Sequence, residues 1–390
     1  MRIVHIGKYY SPAVGGMESL VRSHAITQSQ LGHQVHVVVV NHRTGTDKDL
    51  IGKTFGAARS ERDVDGSVTV HRANRFGSLF KCDLSSDFGR SIRRLASTKP
   101  DIWHLHTPNA TAIVAMQRLL GRCTPLVVSH HSDILNQRLL RSFYEALEAR
   151  LYRQAKAIIS DSTGYIAGSR QLKRFQDKVH VIPIGIDVHS FANRTPEIDS
   201  LADQYRAEFS GPVWLCVGRP VQYKGFDVAI RALRDVPGTL LFVGTGPLLA
   251  TLQKRARDIG VSDRVRFLGY CSPDQLRAHY RSATALWFPS IERNEGFGIA
   301  QVEAMASGCP VINTQIPGSG VHEVSVDGVT GFTIPCNDAA ALANAARKLL
   351  ANEELRCAFS ENGKKRAREF DNEEVNQRLM KLYGEVMGVG

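Results

Sequence analysis

Short apolar runs alternate with amphipathic stretches along the chain, and the alternation occurs twice. Runs rich in β-branched and other apolar residues stand at IVHI (3–6), QVHVVVV (34–40), VTVHR (68–72), DIWHLH (101–106), PLVVSH (125–130), AIIS (157–160) and VHVIPIG (179–185). Stretches with helical periodicity, such as MESLVRSHAITQSQL from Met17, lie between several of them. Continuous apolar strands alternating with amphipathic helices predict a mostly parallel, doubly wound sheet, because strands covered on both faces carry no polar alternation. The rhythm restarts between residues 212 and 314 with PVWLCVG, TLLFVG, VRFLG, ALWFPS and PVINT. The expected fold class is α/β with two Rossmann-like domains, 1–190 and 191–371, and a last helix, 372–390, with no strand after it, that is expected to cross back to the first domain. Two such domains with the carboxyl ends of their sheets at one cleft would bind a ligand there.

Composition narrows this picture. At 390 residues the chain is long enough for two cores. A hydrophobic fraction of 43% and a charged fraction of 22% are those of a globular protein, and no apolar run approaches the roughly 20 residues of a membrane span. The start, MRIVHIGKYYSP, turns polar too soon for a signal peptide, which implies a cytoplasmic protein. The seven cysteines are scattered without a metal or redox spacing and are expected to be reduced. Residues 1–190 carry 26 Lys and Arg against 15 Asp and Glu, while residues 191–390 carry 23 of each, so the whole excess of +11 lies in the first half. That asymmetry predicts an anionic partner for the first half, a phospholipid surface or a lipid diphosphate, and no nucleic-acid module accompanies it.

The chemistry concentrates in NEGFGIAQVEAMASGCPVI, residues 294–312. Glu295 lies in a glycine-flanked loop, and Glu303 lies inside a helix expected to begin near Ile299. Unpaired N–H groups and the positive end of the dipole at that helix start favour a phosphate. Glu303 would stand about 7 Å further along the axis. Earlier in the same domain, Gly218 turns the chain after the strand PVWLCV, and RPVQYKGFD brings Arg219 and Lys224 to the next loop. Carboxylates at two ends and cations in the middle fit a nucleotide sugar, which carries hydroxyls at both ends of a diphosphate. An isolated Glu is more often a solvated helix face. Here small and apolar residues surround Glu303, and burying a carboxylate requires a ligand or a structural partner.

These motifs, with VGTGP, FLGYCSPDQL, VIPIGID, SPAVGGMESL and DGVTGF, resemble glycosyltransferase family 4, the retaining transferases of the GT-B fold, over nearly the whole chain. The resemblance implies that Glu295, with the loop Gly296, Phe297, Gly298 and Ile299, binds the donor and that Glu303 holds the ribose. It implies that Arg219 and Lys224 neutralise the diphosphate and that Gly16 lets the first loop close over it. In VVSHHSDI it implies that His131 reaches the donor sugar, with the neighbouring His130 as the competing choice. SHHSDILNQRLL and NTQIPGSGV are similar to members that build bacterial surface polysaccharides such as O-antigen and lipopolysaccharide, often from GDP-mannose.

Fixed positive groups can stabilise the charge that develops on a departing diphosphate, so no metal or other cofactor is expected. Asp63-Val64-Asp65 imitates an acidic metal motif, but VDGSVTV reads as a hairpin turn. His104 and His106 share one face of a strand; the reading preferred over a zinc site packs one of them and leaves the other near the acceptor. No carboxylate pair resembles that of a retaining glycosidase, so a front-face transfer is expected, with Glu295 and His131 positioning the sugar. The acceptor would be a glycan or a lipid-linked saccharide. Leu139, Leu140, Phe143, Leu147 and Leu151 recur at helical spacing among Arg138, Arg141, Arg150 and Arg153. That helix either simply packs on the sheet or, with RSIRRL ending at Leu95, rests on anionic membrane. Two other classes stay open: a sugar-nucleotide epimerase, which shares the GT-B architecture, and a non-catalytic nucleotide-sugar-binding protein, against which the joint presence of His131, Arg219, Lys224, Glu295 and Glu303 argues.

Overall fold

A computed structural model describes the chain except residues 14, 43–56, 80–81, 120, 122, 124, 134–137, 210 and 390, and except the side chains of residues 79 and 138–141. The chain divides into two compact units, Met1–Gly185 with Asn372–Gly390, and Ile186–Asp371.

The first unit holds β1 (Arg2–Ile6), β2 (Gln34–Val40), β3 (Glu61–Asp65), β4 (Val68–Ala73), β5 (Gly77–Leu79), β6 (Cys82–Leu84), β7 (Ile102–Thr107), β8 (Leu126–His130), β9 (Ala157–Ser160) and β10 (Val179–Val181). Eight of them form one sheet in the order β10-β9-β8-β7-β1-β2-β4-β3, and β5 pairs with β6 apart from it. All pairs in the large sheet are parallel except β3 with β4. Successive side chains of a strand point to opposite faces, and the two faces are both covered. Val4, Ile6, Trp103 and Leu105 pack on one side with Phe88, Ile92, Leu151 and Tyr152. Ile3, Ile102, Val127 and Ile159 pack on the other side against Val375, Leu379, Leu382 and Tyr383 of the helix Asn372–Met387. Each such burial stabilises by about 1.5–3 kcal/mol, so this last helix is part of the first unit's core.

In the second unit β11 (Val213–Val217), β12 (Thr239–Val243), β13 (Val265–Gly269), β14 (Ala285–Trp287), β15 (Val311–Gln315) and β16 (Gly331–Pro335) form an all-parallel sheet. Its order, β13-β12-β11-β14-β15-β16, is that of a doubly wound dinucleotide-binding sheet. The order reverses between β11 and β14, where Trp214 and Trp287 stack with ring centroids 4.9 Å apart.

The apolar runs mark strands at every position expected, although VHVIPIG yields only the three residues of β10. Four strands escape the pattern, β3, β5, β6 and β16; the last, GFTIP, is an edge strand whose Gly, Thr and Pro interrupt the apolar signal. Asp63 and Asp65 lie on the β3–β4 hairpin. Asp65 accepts hydrogen bonds from Arg22 Nε at 2.7 Å and from the Tyr10 hydroxyl at 3.0 Å.

Candidate functional site

The reversal point of the second sheet is where an open α/β sheet leaves a crevice at its strand ends. Two loops leave β11 and β14 there. After β11 the chain runs through Gly218 and Arg219 to a single turn, Gln222–Lys224, and enters the helix Phe226–Leu233 through Gly225. Gly225 has φ +63° and its α-carbon faces the Pro289 carbonyl so closely that a β-carbon would collide with it. This approach of one loop to the other sets Lys224 Nζ 2.5 Å from Glu295 Oε2, with only 13% and 11% of the two side chains exposed. The ammonium also lies 4.9 Å from the centre of the Phe288 ring. Burial works against the charge of Lys224, yet the Glu295 carboxylate and the Tyr223 phenol hold its pKa above the ordinary lysine value.

Glu295 is fixed from behind. Its backbone carbonyl accepts from Ser319 Oγ at 2.5 Å, and its carboxylate is 3.4 Å from Ser290 Oγ. Gly296 accepts from the Gly320 amide at 2.9 Å, and Phe297 is buried edge-on against Phe370 at 5.5 Å. Gly298 then turns with φ +86°, and a β-carbon there would stand 2.7 Å from Phe288 Cζ. The helix Ile299–Ala306 begins immediately after it with no side-chain cap. Gln301 ties this start to its surroundings, donating to the carbonyls of Phe297 and Val321, both at 3.1 Å.

Glu303 follows one turn later. Tyr280, buried on the helix Pro273–Ser282, donates its hydroxyl to Glu303 Oε2 at 2.7 Å. Desolvation raises the Glu303 pKa above the ordinary carboxyl value, opposed by the Tyr280 hydroxyl and the Lys224 charge. Arg219 is exposed on the loop after β11 and makes no ion pair among the described residues. The structure thus brings Lys224, Glu295, the Gly296–Ile299 turn and Glu303 to the loops that follow the central strands β11 and β14, with Arg219 on the same loop as Lys224.

Gly16 and His131 belong to the first unit. Gly16 is exposed and opens the helix Gly16–Gln30, whose first turn carries Glu18. His131 follows β8, with Nε2 3.2 Å from His106 Nδ1 and Nδ1 3.5 Å from Asp161 Oδ2. His130 points into the core instead, its Nδ1 2.6 Å from the Tyr152 hydroxyl and its Nε2 3.1 Å from Asp133 Oδ1. Burial disfavours its charge, but Asp133 and Glu148 raise its pKa overall. His104 and His106 are both fully buried, so neither stands open to an acceptor.

Sequence reasoning passed over Tyr280, Asp161, His5, His24 and Gln28. Tyr280 and Asp161 lie far along the chain from the groups they touch, and no motif joins them. His5 carried a signal in its strand, since β1 and β7 pair in register with His5 opposite His104.

Two family models match the chain, Glycosyltransferase Family 4 over residues 14–190 and Glycosyl transferases group 1 over residues 199–366. The chain is 30% identical over 371 residues to D-rhamnosyltransferase WbpZ of Pseudomonas aeruginosa, covering 95% of this chain and 92% of that protein. The chain belongs to glycosyltransferase family 4. This family 4 glycosyltransferase is also 28% identical over 388 residues to O-antigen chain mannosyltransferase C of Escherichia coli, covering 98% of each. Its fold is GT-B: it matches sucrose-phosphate synthase from Thermosynechococcus elongatus with a TM-score of 0.79 over 100% of both chains, at 20% identity. Among the described residues of the glycosyltransferase, no helix is long and apolar enough to cross a membrane.

Proposed function

We propose that this glycosyltransferase is a retaining, metal-independent hexosyltransferase that moves a sugar from a nucleotide diphosphate donor, GDP-mannose in first place, to a hydroxyl of a glycan or lipid-linked saccharide. The observation that carries this reading is the Lys224–Glu295 pair at the reversal point of the second sheet, 2.5 Å apart and largely withdrawn from water. In the reading, Lys224 and the exposed fork of Arg219 meet the diphosphate, one as a point charge and the other as a planar donor. The uncapped start of the helix at Ile299 adds N–H groups to the same phosphates. These groups stabilise the charge that grows on the leaving diphosphate, the task a divalent cation would otherwise perform. Glu295 accepts hydrogen bonds from the hexose hydroxyls, and Glu303 accepts from the ribose beside its Tyr280 bond. His131 positions the sugar, and Gly16 admits the phosphates to the first loop.

Transfer then proceeds on one face. The bond between the anomeric carbon and the diphosphate oxygen lengthens to an oxocarbenium-like state. The acceptor hydroxyl attacks from the side the diphosphate is leaving, and a phosphate oxygen takes its proton. The donor preference rests on the mannosyltransferase relative and on SHHSDILNQRLL and NTQIPGSGV. The anionic surface proposed for the first half would meet exposed Arg93, Arg94, Arg150 and Arg153 and the exposed Phe143 ring; the side chains of Arg138, Leu139, Leu140 and Arg141 lie outside the described residues.

The test is transfer by Glu295→Ala, with Glu295→Gln as the variant that keeps the shape. Loss of hydrogen bonds between a carboxylate and sugar hydroxyls should lower kcat/KM about 100-fold; activity within a few-fold of the parent would end the assignment. Incubation with donor and no acceptor separates the transferase from an epimerase, which would release an isomeric nucleotide sugar. Donor binding without turnover on any acceptor pool would favour a non-catalytic binding protein.

A further inference from the structure

The chain passes between the two units twice, at Gly185–Ile186 and at Asp371–Asn372. The two segments leave the second unit side by side. Ile186 pairs with Asp371 as an isolated parallel bridge, the Ile186 amide donates to the Phe370 carbonyl at 2.9 Å, and the Val188 amide donates to Asp371 Oδ2 at 3.2 Å. The same closeness recurs within the first unit, where a β-carbon on Gly185 would stand 2.9 Å from Asn372 Oδ1 and 3.2 Å from Val375 Cβ. Phe370, next to last in the second unit, is thus bonded through its backbone to the other segment of this junction.

Two routes lead from the Glu295 loop to the Phe370 ring. The direct one is Phe297, the one side chain between Gly296 and Gly298, whose ring meets Phe370 at 80° with centroids 5.5 Å apart. Both residues are 4% exposed. The other route runs through the neighbouring chain. The carbonyls of Glu295 and Gly296 are held by Ser319 and Gly320, and the helix Val321–Val324 follows directly. Its carbonyls at Glu323 and Val324 accept from Arg366 Nη2 at 2.8 Å and Nε at 3.4 Å, and the same guanidinium lies 4.9 Å from the centre of the Phe370 ring. Perpendicular aromatic pairs and cations over aromatic rings are both attractive and directional. Glycine on either side leaves the loop backbone compliant, so Phe297 is the point at which the loop grips its surroundings. A diphosphate drawn to Lys224 and sugar hydroxyls drawn to Glu295 compete with the 2.5 Å ion pair between those two residues, so a donor acts directly on the position of Glu295.

We propose that Phe297 and Phe370, steadied by Arg366, are positioning residues that tie the donor loop to the junction, so that a nucleoside diphosphate held by the loop also orders the segments Ile186–Val188 and Arg368–Asp371. The tie is read from the contacts alone; its use by a donor rests on the donor reading above. Coupling of this kind is reciprocal. Whatever loosens the ring contact weakens nucleotide binding, and bound nucleotide tightens the junction. Packing alone has no such consequence: two rings that only fill space destabilise the unit when truncated, without linking protection of the Ile186 amide to what the loop holds.

The experiment is amide hydrogen exchange of the full chain, read by mass spectrometry on peptides that include Ile186–Val188, Arg368–Asp371 and the loop 293–300, with and without GDP. Without nucleotide, Phe297→Leu should speed exchange at Ile186 about 5-fold or more, while Phe242→Leu, an equal truncation elsewhere in the core of the same unit, should leave the parent rate there. With saturating GDP the parent should gain protection in the loop and in both junction segments; Phe370→Leu and Arg366→Met should gain it in the loop alone. The Kd for GDP, measured by calorimetry, should rise about 5-fold in Phe297→Leu and in Phe370→Leu and no further in the double variant, because each removes the same link. Parent-like exchange at Ile186 in Phe297→Leu overturns the proposal. So does junction protection by GDP that survives Phe370→Leu, and so do Kd effects that multiply in the double variant. Should Phe370→Leu not fold, Phe297→Leu and Arg366→Met carry the test. A parent loop that GDP leaves unprotected counts against the donor reading instead, and the comparison without nucleotide still decides the link, so the two failures are told apart.

Discussion

Glu303 shows how a binding residue costs stability. Its carboxyl pKa is raised by desolvation despite the Tyr280 hydroxyl and the Lys224 charge. A carboxyl that holds its proton more tightly when folded carries no penalty below about pH 4.5. The penalty grows as pH rises from there to the folded value, and it stays constant above that. Glu303→Gln keeps an acceptor for Tyr280 and removes the charge. At pH 7.5 its Tm should exceed that of the parent, by about 2–4 °C for each 1 kcal/mol relieved, and the gap should close as the pH approaches 4.5. Donor affinity measured by calorimetry should fall about 10-fold in the same variant. A Tm advantage that is equal at pH 7.5 and pH 4.5 would mean that the charge is not the cause. Lys224 and Glu295 differ from this case because each neutralises the other, so replacing one strands its partner.

At the scale of elements, the turn at Gly298 decides where the helix Ile299–Ala306 begins. Its φ of +86° disfavours any side chain, and a β-carbon would press on Phe288 Cζ at 2.7 Å and on Gln301 Nε2 at 2.8 Å. Gly298→Ala should lower stability in urea by about 1–3 kcal/mol and weaken donor binding, since the shifted helix start carries both the N–H groups and Glu303. Unchanged stability would show that the turn is not constrained. Much of this element was legible in the sequence. GFG followed by an apolar run announced a loop and a helix start at Ile299, and the strands around it were continuous apolar runs. What the sequence could not show was the partner from another element. Tyr280 meets Glu303 across 23 positions, and Gln28 meets Asn376 across 348. Pairings of that range follow from sheet order and helix packing, which no local pattern encodes. The expectation that one of His104 and His106 stays open to an acceptor failed for the same reason: β7 is central in its sheet and covered on both faces.

For the molecule as a whole, the charge distribution makes a prediction separate from the donor site. The first half carries the entire excess of +11, and Arg90, Arg93, Arg94, Arg150 and Arg153 are exposed. Binding to vesicles containing anionic phospholipid should be seen at low salt, should weaken steeply toward 0.5 M salt, and should drop when Arg93 and Arg94 are replaced by Ala. Equal binding to neutral vesicles would refute an electrostatic contact. The central claim, that cations of the second unit grip a nucleotide sugar by its diphosphate, is tested most directly by the crystal structure of the protein with intact GDP-mannose. The account predicts diphosphate oxygens within hydrogen-bond distance of both Arg219 and Lys224, with hexose hydroxyls on Glu295 and ribose on Glu303. A diphosphate lying away from both cations would contradict it.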